Sequence, residues 1–102
     1  MVLLDLLGRR MTLRILWELS GAEGLTFRAL QHAAQTNPSV LNSRLKELRN
    51  AQIIEHRARG YQLSAMGKSL LAIILPLHLW ADEWASLHKR NRAMPSRAKG
   101  KG

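Results

Sequence analysis

Residues 37–50 read NPSVLNSRLKELRN, and this stretch leaves the backbone little choice. Asn37 can accept a hydrogen bond from a free backbone N–H at the start of a helix. Pro38 fits the first helical position, where its missing N–H is not needed and its φ is already set. Leu41, Leu45 and Leu48 follow at i, i+4 and i+7, so at about 100° per residue they share one face. Ser39, Ser43, Lys46 and Asn50 fall opposite, with Asn42 and Glu47 on the flanks. The pattern predicts an amphipathic helix over Pro38–Asn50 that buries leucine and presents small polar and basic side chains to a close-approaching partner.

The preceding segment, LTFRALQHAAQ, supplies a short companion helix. Thr26 can cap it through its hydroxyl, and Ala29, Leu30, Ala33 and Ala34 form its expected buried side. It ends near Thr36, so two short helices joined by a tight polar turn make a helix-turn-helix. Upstream, Leu3 to Leu19 carries Leu13, Leu16, Trp17 and Leu19 among charged positions. Gly8 is a break after a short lead-in, and Gly21 and Gly24 supply the loop that follows. Downstream, IIEHRARGYQLS predicts a hairpin: Ile53 and Ile54 begin one strand, Tyr61 and Leu63 carry the next, and Ala58, Arg59 and Gly60 form the turn. Ser64 can cap a terminal helix from about Ala65 to Lys89, which Pro76 is expected to kink or divide. Its apolar residues, among them Leu70, Ile73, Leu77, Trp80 and Trp84, spread round the helix instead of keeping to one stripe. A domain this small cannot bury them all, so a second buried surface, most simply a homodimer interface, is implied.

Charge narrows the partner. Sixteen Lys and Arg against seven Asp and Glu give +9, which favours a polyanion: nucleic acid first, an anionic membrane surface second. The chain has no cysteine, which excludes disulfides, thiolate metal sites and thiol redox sensing and suits a cytoplasmic protein. MVLLDLLGRR lacks the basic n-region and small-residue cleavage site of a secretory signal. The apolar run Leu70 to Ala81 is shorter than the roughly 20 residues of a spanning helix and contains Pro76 and His78, so no membrane span is expected. His32, His56, His78 and His88 stand at no metal-ligand spacing, and no nucleophilic or paired-carboxylate set is present. Neither a metal nor a cofactor nor an enzymatic activity is expected. The end of the chain, KRNRAMPSRAKGKG, has almost nothing to bury. We expect residues 1–90 to form one domain and 91–102 a basic flexible tail.

The fold class is therefore mainly α with a small β-hairpin: a winged helix-turn-helix with a long C-terminal dimerisation helix. LLGRRMTLRILWEL, LTFRALQ, PSVLNSRLKELRNAQIIEHR and YQLSAMGKSLLAIILPLHLWADEW, in that order and spacing, resemble the HxlR-type bacterial transcription regulators, relatives of the MarR group. The resemblance covers about residues 3 to 85. It departs from the family in two places. The N-terminal cysteine that many members carry, and that some use for sensing, is missing. HRARGYQ leaves a wing little longer than a turn, which argues against deep minor-groove insertion.

Ser39, Asn42, Ser43 and Lys46, near the N-terminal end of the recognition helix, are the candidate base contacts: Asn for adenine, Lys for guanine acceptors, and Ser permissive and small enough for close approach. Thr26 and Arg28 at the start of the companion helix, with Arg57 and Arg59 on the hairpin, are the candidate phosphate contacts. Arg44 sits nearer the buried side, where it can pair with an acid; Glu47 could accept from cytosine, but a salt bridge to Arg44 or Arg28 is the favoured expectation. Leu3, Leu4, Leu7, Leu77, Trp80 and Trp84 are the candidate dimer interface. A cleft near Trp17, Trp80 and Trp84 could admit a small apolar effector, as in related regulators. The expected function is sequence-specific recognition of double-stranded DNA by a homodimeric transcriptional regulator. The rival is a winged-helix protein-interaction module whose basic tail tethers nucleic acid nonspecifically.

Overall fold

The computed structural model describes residues 2–21 and 23–93. In chain order these form α1 (Val2–Leu7), α2 (Thr12–Ser20), α3 (Phe27–Ala34), α4 (Pro38–Asn50), β1 (Ile54–Arg57), β2 (Gly60–Leu63) and α5 (Ala65–Ala93). The chain divides into two compact units, Met1–Leu71 and Ala72–Gly102. The first holds the helix-turn-helix and the hairpin; described residues 72–93 of the second are helical.

The core of the first unit is assembled from one face of each helix. Ile15, Leu16 and Leu19 of α2, Leu30 and Ala34 of α3, and Leu41, Leu45 and Leu48 of α4 are all buried, as are Ile53, Ile54 and Leu63 around the hairpin. On α2 the buried face is Thr12, Ile15, Leu16 and Leu19, whereas Leu13 and Trp17, expected inside, stay exposed. One residue changes sides on α3 as well: Ala29 is exposed, because the stripe through Leu30 and Ala34 leaves it on the first turn's outer side. Leu6 of α1 is buried and so serves this core.

The caps set where α3 and α4 begin. The Thr26 hydroxyl accepts from the Ala29 N–H at 3.1 Å, and the Asn37 side-chain oxygen accepts from the Val40 N–H at 2.8 Å. Between the helices, Gln35 takes a left-handed conformation, φ 54°, and its N–H closes the last turn of α3. Arg14 adds a brace: its guanidinium donates to Glu18 Oε2 at 2.8 Å and to the Ala33 carbonyl at 2.9 Å, tying α2 to the last turn of α3.

β1 and β2 pair antiparallel from Ile54↔Leu63 to Arg57↔Gly60. The loop is therefore the two residues Ala58 and Arg59, and Gly60, expected in the turn, belongs to β2. Ile53 lies just before β1. Leu25 lies along β2 as an isolated third rung, exchanging hydrogen bonds with Tyr61 at 2.9 and 2.7 Å. Gly60 makes this approach feasible. Its φ is +116°, and a Cβ there would stand 2.4 Å from the Leu25 carbonyl oxygen. Gly67 does the same for α5, since its Cβ would stand 2.1 Å from the Ile53 oxygen. Ser64 caps α5 by accepting from the Gly67 N–H at 3.0 Å, while its hydroxyl is shared between the Gln52 and Ile53 carbonyls.

α5 runs through Pro76 without being divided and continues to Ala93, beyond the expected end at Lys89. The basic tail expected from residue 91 lies outside the described residues from position 94 onward. Ile73, Leu75, Leu77, Leu79, Trp80, Trp84 and Leu87 are all exposed. By length and composition, Ala65–Lys89 is long and apolar enough to cross a membrane, which the shorter run Leu70 to Ala81 did not suggest.

Candidate nucleic-acid interface

α4 is an amphipathic helix whose inner leucines are 0 to 2% exposed. The four side chains expected to read bases, Ser39, Asn42, Ser43 and Lys46, are all exposed on it. At about 100° per residue Ser39, Ser43 and Lys46 occupy the side opposite the leucine stripe, and Asn42 lies on the flank. Arg49, three positions beyond Lys46 and seven beyond Asn42, shares their flank and is exposed. Arg49 was not among the expected contacts, although its i+7 relation to Asn42 places it on the same flank.

The inner charges of α4 are used within the protein. Arg44, whose side chain is 15% exposed, meets Glu47 at 3.4 Å, and Glu47 also faces Arg9 at 3.7 Å. Arg44 Nε and Glu47 Oε1 are buried and make no hydrogen bond, so they meet as an ion pair whose alignment falls short of one. Of the two partners expected for Glu47, the structure selects Arg44 and adds Arg9 in place of Arg28.

At the start of α3 the Thr26 oxygen is occupied by its capping bond, which leaves its hydroxyl proton available to an acceptor. Arg28, two positions on, is exposed. Among the described residues Arg28, Lys46 and Arg49 have no ion-pair partner.

The wing is different. Arg57 Nε donates to Glu55 Oε1 at 2.8 Å along β1, and Arg59 pairs with Glu23 from the loop before Leu25. The hydrogen bond from Arg57, assisted by its charge, holds the Glu55 carboxyl below the usual carboxylate range against an opposing effect of partial burial. The same bond raises Arg57 above the ordinary arginine value. His56 and Tyr61, opposite each other across the hairpin, stack with ring centroids 4.1 Å apart and planes 4° from parallel.

The candidate interface residues fall in both units. Leu3 and Leu4 are 39 and 63% exposed on α1, and Leu7 beside them is half-buried. Leu77, Trp80 and Trp84 are exposed on α5, where the two indoles stack at 6.4 Å and Trp84 lies 4.3 Å from His88. Trp17 is exposed on α2. Among the described residues no three His, Cys, Asp or Glu side chains gather as a metal site requires.

The profile of a family described as HxlR-like helix-turn-helix matches residues 6–89. Among solved structures the chain is similar to the quinone-bound YodB from B. subtilis, with 29% sequence identity and a TM-score of 0.71. That likeness covers 78% of this chain and 90% of the other. No curated protein matches.

Proposed function

We propose, since the chain belongs to the HxlR-like helix-turn-helix family and is thus a DNA-binding transcriptional regulator and not an enzyme, that it acts as a homodimer in the bacterial cytoplasm, seating α4 of each subunit in successive major grooves of a pseudo-palindromic duplex site. The observation that carries this reading is the division of α4: three leucines sealed in the core, and Ser39, Asn42, Ser43 and Lys46 all exposed away from them. Asn42 offers adenine a donor and an acceptor, Lys46 donates to guanine, and the two serines keep the helix axis close to the groove floor. Thr26 and Arg28 at the start of α3 and Arg49 on the flank of α4 hold the phosphates on either side, and the wing arginines Arg57 and Arg59 lie beside the backbone with their own carboxylate partners.

The likeness to a quinone-bound relative supports a small apolar effector. With no cysteine in the chain, such a ligand has no thiol to capture it, and stacking on Trp17, Trp80 or Trp84 is the available chemistry.

The test is the affinity of the protein lacking residues 91–102 for the DNA upstream of its own gene, against a scrambled duplex at near-physiological salt. A preference on the order of 10³ or more is expected of specific binding. Loss of all DNA affinity with the tail would instead make the folded part a protein-interaction module.

A further inference from the structure

We propose that Glu23 and Glu55 are built-in competitors of the DNA backbone: each holds one of the two wing arginines, and together they keep the wing's affinity for duplex below what its arginine content would give. This rests on the duplex-binding reading above and adds the residues that set its strength.

Both wing arginines are engaged by carboxylates from different parts of the chain. Glu55 comes from β1 itself and accepts from Arg57 at 2.8 Å. Glu23 comes from the loop between α2 and α3 and reaches Arg59 across 36 positions of sequence. The second contact is prepared by the backbone. The reciprocal Leu25–Tyr61 bonds draw that loop along β2, and Gly24 runs so close to Arg59 that a Cβ on it would stand 2.9 Å from the Arg59 Cβ. By contrast Arg28, Lys46 and Arg49, on the helix-turn-helix, have no acidic partner among the described residues. With only seven acids against sixteen Lys and Arg in the chain, two of the seven stand on the wing arginines.

The consequence follows from counterion release. A bare arginine brought to a phosphate displaces a condensed cation, whereas an arginine that arrives with its own carboxylate is a neutral unit and displaces almost none. A carboxylate could instead help by holding the guanidinium ready for phosphate. That role needs a rigid, sheltered pair, and here the side chains of Arg59 and Glu23 are 71 and 84% exposed. Exposed pairs position weakly, so charge cancellation outweighs preorganisation. Because Arg57 keeps the Glu55 carboxyl below its usual range, the cancellation at that pair persists through mildly acid solution. Phosphate affinity withheld at the wing leaves a larger share of binding to α4, where bases are read.

The experiment compares the full chain with Glu23→Gln, Glu55→Gln and the double variant, titrating a fluorescent mixed-sequence duplex and the scrambled control over a range of salt. Glutamine keeps the shape and removes the charge. Each substitution is expected to steepen the dependence of log affinity on log salt by about 0.9. Each is also expected to tighten binding about two- to fivefold at moderate salt, equally for every duplex, the weight of one exposed ion pair. Arg57→Ala introduced into the Glu55→Gln variant should cancel its gain. Weaker binding, or an unaltered slope, overturns the proposal while leaving duplex recognition intact. No salt-dependent duplex binding by wild type or variants overturns both together.

Discussion

On the proposed function, side chains of similar polarity on α4 and α3 face different tasks, and their substitution signatures separate those tasks. Asn42 and Lys46 are exposed on α4, where the proposed contacts discriminate among bases; Arg28 is exposed at the start of α3, where the proposed contact neutralises a phosphate. Replacing Asn42 or Lys46 by Ala is expected to cost about 1–3 kcal/mol on the preferred site and much less on scrambled DNA, so the specificity ratio falls. Arg28→Ala is expected to weaken both duplexes alike and to flatten the salt slope by about one. Paired titrations of a preferred and a scrambled duplex at several salt concentrations read both effects. A uniform loss for Lys46→Ala would reassign that side chain to the backbone.

At the scale of elements, the helix-turn-helix depends on two side-chain caps and one brace. Asn37 is the more consequential cap, because α4 carries the reading face and its first turn holds Ser39. Asn37→Ala leaves the Val40 N–H without its acceptor and is expected to cost about 1 kcal/mol of stability. Thermal unfolding should show the loss, and base discrimination at the Ser39 end should soften with it. Both caps were legible in the sequence, as were the bounds of α4, because local chemistry fixes them: a short polar acceptor, a proline behind it, and leucines at i, i+4 and i+7. Other features were not local. That Leu13 and Trp17 stay out while Thr12 goes in depends on how α2 meets α3, and 3.6-residue periodicity alone does not choose between adjacent stripes. Gly60 reads as a turn residue from its type, yet its positive φ serves the close passage of Leu25, 35 positions earlier in the chain. The pairing of Glu23 with Arg59 depends on that same long-range approach, so the sequence showed two arginines on a wing and gave no sign of their partners.

At the scale of the whole molecule, the exposed apolar surface of α5 needs an occupant, and both a second copy and a bilayer fit its hydropathy. Three features favour the second copy. The first turns of α5 are built into the winged-helix body, with Gly67 against Ile53 and Ser64 bonded to the residues before β1, so a span starting there would have to leave that body. Asp82 and Glu83 interrupt the apolar surface, and acidic side chains inside a spanning helix are costly unless paired within a bundle or facing water. The two-fold DNA site proposed above also requires two linked reading heads. Trp80→Glu with Trp84→Glu removes the stacked indoles and places two like charges one turn apart, where a symmetric partner would double them. The variant is expected to sediment as a monomer with unchanged far-ultraviolet dichroism. Its affinity for a full two-fold site should fall about 10²- to 10⁴-fold, because the second half-site no longer benefits from tethering. Binding to an isolated half-site should change little, since α4 is untouched. If instead the variant stays dimeric and loses only its association with anionic vesicles, the tryptophans serve a lipid surface and the subunit contact lies elsewhere.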